Sequence, residues 1–363
     1  MTDWDGLTQR TLDGLEHCDE LYRPTNFWGP GLEQLLDDMR NEGLESFKRW
    51  PSAGFWFYPR YGLGMTAEQL QAAIDAVLEV HPAAHPALVR QGLSGGDQAR
   101  RDFAAARLSW DHRRWPIMLG RFGESRHGRP PQLFPLTGRR HGWTRPYLNY
   151  MLCMSALSHH VERAPTSVLE LGGGFGVLGE FLMRRSERVR YVDLDIPPLL
   201  TVASYYLRTI FGDRVAIPDD LPEKGPLGVE GSAVLPNWRI GDVAGPFDVF
   251  VNAFSFQEME PHVVANYIEQ VVGRDVEYVV SLNSRDGKPR LSDGAAIGVQ
   301  DAVTSQFIVE AFESRGYRLL KRYGSPLIES AGELTVLRRT DMIPSREGTP
   351  ADGGRWRRGR RTP

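Results

Sequence analysis

Hydrophobic positions in the second half of the chain form short, nearly continuous apolar runs, and these alternate with segments of helical periodicity. Such runs are typical of parallel strands buried on both faces, and the alternation is typical of βαβ units in a doubly wound sheet. The predicted strands are 168–171, 189–194, 247–252 and 278–282, with helices at 199–211 and 263–272. A further strand is predicted in either 214–217 or 232–240.

The pattern near the end of the chain predicts an antiparallel hairpin. A helical stretch over 301–315 is followed by two strand-like runs, 317–323 and 333–338, with a short loop between them. Strands joined so closely must pair antiparallel, because a parallel crossover needs about a dozen residues or more. The sheet is therefore predicted to be mostly parallel and to end on an antiparallel strand.

The first part of the chain is predicted to be helical and rich in aromatic residues. Helical periodicity covers 32–39 and 66–82, with an aromatic loop over 50–59 between them. Seven of the nine tryptophans precede residue 144, and we expect most of them to be core and the segment to form an acceptor lid. The Gly-, Pro- and Arg-rich stretch 120–142 lacks periodicity and marks a junction. We divide the chain into an N-terminal helical region (1–143), a cofactor-binding domain (144–340) and a disordered basic tail (341–363).

A glycine-rich turn joins the strand at 168 to the next helix, and it indicates a nucleotide-type cofactor site. Glycines let bare backbone N–H groups approach a ligand closely. The spacing G-x-G-x-x-G over 174–179, with Asp195 after the next strand, fits a dinucleotide site. The spacing of Glu170, Gly172, Gly174 and Gly176 resembles instead the first motif of class I S-adenosylmethionine-dependent methyltransferases.

Three segments together carry a closer resemblance. They are ELGGGFG at 170–176, YVDLDIP at 191–197 and NAFSFQEM at 252–259. Over residues 140–340 the chain resembles the sugar O-methyltransferases of bacterial natural-product and antibiotic clusters. The resemblance implies a Rossmann-like class I methyltransferase fold, an α/β fold with a mostly parallel seven-stranded sheet, an antiparallel final strand and an N-terminal helical domain or lid. It also implies S-adenosylmethionine as cofactor and a sugar hydroxyl as acceptor.

The same resemblance, together with the positions of the acidic residues along the chain, suggests roles for the residues of the cofactor site. Glu170 would help to seat the amino-acid end of the cofactor, and the turn would surround it with Gly172, Gly174 and Gly176. Asp195 ends a strand, where it could accept two hydrogen bonds from a ribose diol, and Asp193 is its rival. Asp242 could contact the adenine amino group.

Methyl transfer to a hydroxyl needs in-line approach and a base for the leaving proton. Glu258 and His262 are four residues apart, so on one helix they would share a face and the acid could orient the imidazole. His141, in the Arg-rich loop, is the other candidate base. No cluster of two histidines and a carboxylate emerges, and we assign no metal site.

Charge and hydropathy limit the classes of partner. The net charge of −3 gives no basis for nucleic-acid binding, and no apolar run is long enough to span a bilayer. We expect a cytoplasmic protein that acts on a small, glycosylated acceptor and can form a homodimer. The alternatives are a methyltransferase for a non-sugar small molecule or peptide, an NAD(P)-dependent oxidoreductase, and a non-catalytic cofactor-binding partner.

Overall fold

The computed structural model describes residues 2–62, 65, 67–137, 141–223, 225–227, 231–291, 297–324 and 332–342. Within these residues eight strands form one sheet. They are β1 Ser167–Leu171, β2 Arg190–Asp195, β3 Val215–Ala216, β4 Ser232–Pro236, β5 Phe247–Ala253, β6 Val276–Ser284, β7 Tyr317–Tyr323 and β8 Gly332–Arg339. Their order across the sheet is β3-β4-β2-β1-β5-β6-β8-β7.

One strand, β8, runs against all the others. It pairs antiparallel with both β6 and β7, whereas the remaining neighbours pair parallel. The predicted closing hairpin is thus confirmed, and its second strand is inserted between β6 and β7. This is the Rossmann-like class I methyltransferase fold.

The sheet has one strand more than the seven predicted from sequence. Both candidate segments for the ambiguous strand are used, because β3 pairs with β4 as a two-residue edge strand while β4 lies beside β2. The longer candidate, 232–240, ends early at Pro236. Proline has no N–H to donate to a neighbouring strand, so the ladder stops there.

Helices cover both faces of the sheet, which explains the nearly continuous apolar strands. Alternate side chains of β1 point to opposite faces, so that Val168 joins one buried cluster and Leu169 the other. The first cluster contains α7 Arg145–Ser158, α8 Val177–Met183 and α9 Leu199–Phe211; the second contains α10 Pro261–Val272 and α11 Ser305–Glu313. The helix predicted over 199–211 is confirmed at both ends.

The N-terminal region is helical, as predicted, and packs on the face that carries α7, α8 and α9. Its helices are α1 Trp4–His17, α2 Gly29–Glu42, α3 Ala53–Trp56, α4 Ala67–Val80, α5 Pro86–Leu93 and α6 Gly96–Leu108. Buried side chains of this region and of the sheet form one continuous cluster, which includes Trp50, Trp110, Trp115 and Trp143. These four tryptophans are core, as expected.

Residues 343–363, most of the predicted basic tail, lie outside the described residues, as do 138–140 in the Arg-rich stretch. Among the helices that the structure describes, none combines the length and hydropathy needed to cross a membrane.

Candidate active site

A cavity of about 310 Å³ lies beyond the carboxyl ends of β1, β2, β4 and β5, where open α/β sheets place their ligands. One wall is the glycine turn after β1. The facing wall comes from the N-terminal region, through residues 22–28 and 55–59, and the floor includes the segment after β5. Two parts of the chain that are far apart in sequence thus enclose one space.

The glycine turn has the backbone conformation that its sequence predicts. Gly172, Gly174 and Gly176 all have positive φ, and Gly172, Gly173 and Gly174 line the cavity. At Gly172, with φ of 74°, an added Cβ would lie 2.4 Å from Oγ of Ser255. Only glycine therefore fits there. Gly176 does not line the cavity among the described residues; it directly precedes α8 and packs against Leu207.

Asp195 lies at the end of β2 and lines the cavity, as predicted. Its Oδ1 accepts the N–H of Ile196 at 2.7 Å, and its Oδ2 accepts the N–H of Gly174 at 2.8 Å. Each oxygen keeps a second lone pair for a ligand hydroxyl. Burial raises the pKa of Asp195 to about 7, although the two backbone hydrogen bonds oppose this rise.

Glu170 and Asp193 lie beneath the turn rather than in the cavity wall that the described residues form. Tyr191 donates a hydrogen bond to Oε2 of Glu170 at 2.5 Å, and burial raises the pKa of Glu170 to about 7. Asp193 accepts the N–H of Gly173 at 3.2 Å. Both carboxyl groups are fully buried. Asp193 supports the turn from below through the N–H of Gly173, whereas Glu170 is held by the hydroxyl of Tyr191.

Asn237 is a cavity residue that the sequence reasoning missed. It follows β4 directly, and the β2–β4 register pairs Asp195 with Pro236, so Asn237 lies close to the end of β2. Its Nδ2 donates to the carbonyl of Tyr22 at 2.7 Å and to the hydroxyl of Tyr267 at 2.6 Å. Its buried Oδ1 accepts no hydrogen bond from the described residues. An acceptor atom is therefore left for a ligand.

Asp242, the residue predicted to contact adenine, lies elsewhere. Its carboxylate is paired with Arg239, and it is not part of the cavity wall formed by the described residues. Arg239 in turn donates to the carbonyls of Pro222 and Glu223, both at 2.8 Å. Asp242 therefore helps to hold Arg239 against residues 222 and 223, and Asn237 rather than Asp242 lines the cavity that the described residues form.

Glu258 lines the cavity from the segment that follows β5. Its Oε2 accepts the indole N–H of Trp28 at 3.1 Å, and its Oε1 is 3.1 Å from Nζ of Lys288. Burial raises the pKa of Glu258 to about 7, while Lys288 and Trp28 oppose the rise. A carboxyl group with such a pKa is suited to accept a proton near neutral pH.

The predicted pairing of Glu258 with His262 on one helix face is wrong. Glu258 ends a short 3₁₀ helix, the backbone is extended at Met259 and Glu260, and α10 begins only at Pro261. His262 is exposed at the start of α10, and His141 is exposed in its loop. Neither histidine belongs to the cavity wall as far as the structure describes the chain. Of the three candidate catalytic residues, the cavity contains only Glu258.

Aromatic side chains form much of the wall that faces the turn. The rings of Trp28 and Trp56 lie 5.0 Å apart at 32°, and Phe55 meets Trp56 edge-on at 4.7 Å. Phe55 is 67% exposed although it lines the cavity. Phe254, which also lines it, has a φ of 65° that is unusual for a bulky residue. Such strain is concentrated at functional sites.

Neither the known family models nor the curated proteins match this chain. Solved structures do. The mitomycin 7-O-methyltransferase MmcR is 11% identical, over 90% of this chain and 75% of that one, with a TM-score of 0.37. Magnesium protoporphyrin IX methyltransferase from Synechocystis PCC 6803, with bound SAM, is 9% identical over 47% and 69%, with a TM-score of 0.33. The pyocyanin biosynthetic protein PhzM is 13% identical over 53% and 57%, with a TM-score of 0.34.

At identities of 9–13% and TM-scores of 0.33–0.37, these likenesses assign neither substrate nor activity to this chain. The cavity itself brings Asp195, Asn237 and Glu258 together with the backbone of the glycine turn. Among the described residues, no group of three or more His, Cys, Asp and Glu side chains is arranged to hold a metal ion.

Proposed function

We propose that this chain is an S-adenosylmethionine-dependent O-methyltransferase that methylates a sugar hydroxyl of a natural product or its precursor. The observation that carries the proposal is the shared cavity. The bare backbone of the turn, Asp195 and Asn237 line the same cavity as Glu258 and several aromatic side chains. One cavity could therefore hold the cofactor and the acceptor next to each other.

The residues at the turn fit the nucleoside part of this cofactor. Asp195 would accept hydrogen bonds from the two ribose hydroxyls, and Oδ1 of Asn237 would accept one from the adenine amino group. The assignment of oxygen and nitrogen in Asn237 is fixed by the carbonyl of Tyr22, which can only face the amide nitrogen. When bound, the cofactor supplies an electrophilic methyl group on a sulfonium.

Glu258 is the group in the cavity that can take the proton from an acceptor hydroxyl. As the hydroxyl oxygen bonds to the methyl carbon, its O–H bond breaks and the proton passes to the carboxylate. The carboxylate is ionised above a pKa of about 7, so activity should rise with pH through that value. Lys288 and Trp28 hold the carboxylate in place, one at each oxygen.

The aromatic wall supports a ring-shaped acceptor. The C–H face of a pyranose can stack on Trp28, Trp56 or Phe55, and its remaining hydroxyls would meet the polar side chains of the cavity. A nicotinamide-dependent oxidoreductase is disfavoured by the topology, because the antiparallel β8 does not belong to the standard dinucleotide-binding sheet.

The test is to incubate the protein and S-adenosylmethionine with glycosylated metabolites, their aglycones, free and nucleotide-linked sugars, and peptides. Mass spectrometry and NMR would locate the added methyl group, and Glu258→Gln serves as the control. Methylation of a sugar oxygen that Glu258→Gln abolishes supports the proposal. Methylation only of an aglycone or of a peptide nitrogen refutes the sugar assignment. If no member of the panel is methylated, the result contradicts the proposed methyltransferase activity.

A further inference from the structure

The carboxylate of Glu258 is held by two different donors, one on each oxygen. Trp28 binds Oε2 through its indole N–H at 3.1 Å, and Lys288 approaches Oε1 to 3.1 Å. A third contact fixes the backbone, since the hydroxyl of Thr25 donates to the carbonyl of Glu258 at 2.8 Å. Two of these three partners, Thr25 and Trp28, come from the N-terminal region and lie more than 200 residues from Glu258 in sequence.

Besides its hydrogen bond to Glu258, Trp28 also lines the cavity. It lies just before α2, and its ring packs against Trp56 with a centroid distance of 5.0 Å. Lys288, the other donor, lies 4.5 Å over the ring of Phe27, the residue next to Trp28. The segment from Thr25 to Trp28 therefore contacts Glu258 and also the lysine that neutralises it.

We propose that Trp28 is a positioning residue that fixes the orientation of Glu258 for proton removal, so that the N-terminal region completes the base as well as the acceptor wall. The proposal rests on the function proposed above. The contact itself, however, can be tested without any acceptor.

The physical reason lies in the type of donor. A carboxylate held by lysine alone can rotate about its terminal torsion and exchange its oxygens. An indole N–H is neutral and does not lose its proton, so it fixes the second oxygen without competing as an acid or base. It also favours the ionised carboxylate, the form that a base needs. Among the described residues, the other charged groups that act on Glu258 are Lys288 and Asp195.

The experiment compares Trp28→Phe with Trp56→Phe. Both variants keep an aromatic ring in the wall and lose one indole N–H, but the N–H of Trp56 donates to Oε1 of Gln34 at 2.9 Å rather than to Glu258. With ¹³C-labelled glutamate carboxyl groups, NMR gives the titration of Glu258, identified by the signal that disappears in Glu258→Gln.

We expect Trp28→Phe to raise the titration midpoint of Glu258 by about one pH unit or more, since a hydrogen bond to a charged group is lost. Trp56→Phe should leave that midpoint unchanged. Equal midpoints in Trp28→Phe and the unchanged protein would overturn the proposal. If Trp28→Phe does not fold, the contact between Trp28 and Glu258 can still be tested in the unchanged protein. The indole ¹H–¹⁵N signal of Trp28 must then follow the titration of Glu258 and lose this dependence in Glu258→Gln, and a signal that ignores the titration would refute the contact.

Once an acceptor is known, the pH profile gives the functional readout. The rise of kcat with pH should shift upward in Trp28→Phe by the same amount as the midpoint, while the affinity for the cofactor stays unchanged. A shifted midpoint with an unshifted kcat profile would show that Trp28 contacts Glu258 without positioning a base. If the unchanged protein transfers no methyl group at all, the proposed function fails, whereas the titration still reports on the contact.

Discussion

Replacing Lys48 with Met should destabilise the protein strongly, because this lysine neutralises a buried carboxylate. The side chains of Lys48 and Glu124 are both completely buried, and Nζ lies 2.6 Å from Oε1 of Glu124. Nζ also donates to the carbonyl of Ser125 and to the hydroxyl of Tyr206, both at 3.2 Å. These contacts join the N-terminal region to α9, beside the glycine turn.

The expected loss is about 3–5 kcal/mol of the free energy of unfolding, the usual cost of leaving one member of a buried ion pair alone. Burial already raises the pKa of Glu124, and without Lys48 it should rise further. Below its unfolded-state pKa of about 4.3, Glu124 would be protonated in the folded and in the unfolded Lys48→Met protein, so the loss of stability is absent there. It should grow as pH rises and be complete above the folded-state pKa.

Urea unfolding followed by circular dichroism at pH 5 and pH 8 measures this loss. The matched control is the double variant Lys48→Met, Glu124→Gln, which removes both charges and keeps an acceptor for the hydroxyl of Thr144. It should recover most of the stability, since replacing a buried ion pair as a whole is often neutral. A single variant that loses less than about 1 kcal/mol, or a double variant that is no more stable than the single one, would refute the reasoning.

Three further predictions concern the cavity. Asn237→Ala should weaken S-adenosylmethionine binding by about 1–3 kcal/mol in calorimetry, whereas Asp242→Ala should not change it. Equal losses in the two variants would contradict the assignment of the adenine contact to Asn237. Glu258→Gln should lower kcat by about 10²–10⁴-fold with cofactor affinity unchanged, whereas His262→Ala should keep the kcat of the unchanged protein. A loss of kcat in His262→Ala alone would make His262 rather than Glu258 the base. Gly172→Ala should abolish cofactor binding in a folded protein, because its Cβ would overlap Ser255, and unchanged binding would show that the turn can relax.

The fold could be predicted from the sequence because its signals are local. Apolar runs located β1, β2, β5 and β6, and the short connection between β7 and β8 required them to pair antiparallel. The edge strand β3 could not be predicted with certainty, since two residues give no periodicity. The extent of β4 was overestimated, although Pro236 carried the information that the strand must end there.

The candidate site was harder to predict, because its side chains depend on tertiary contacts. The spacing of Glu258 and His262 suggests one helix, but Glu260 directly precedes Pro261 and is extended, as residues before proline usually are. Asn237 was missed because it fell inside a predicted strand. The contact between Trp28 and Glu258 spans 230 positions, and nothing in a single sequence indicates such a pair.

Isothermal titration calorimetry with S-adenosylmethionine and, separately, with NAD tests the central claim most directly. We predict that S-adenosylmethionine binds and that NAD does not. Asp195→Ala should weaken the binding of S-adenosylmethionine by about 1–3 kcal/mol through loss of a charged hydrogen-bond acceptor. Tight binding of NAD without binding of S-adenosylmethionine would contradict the account.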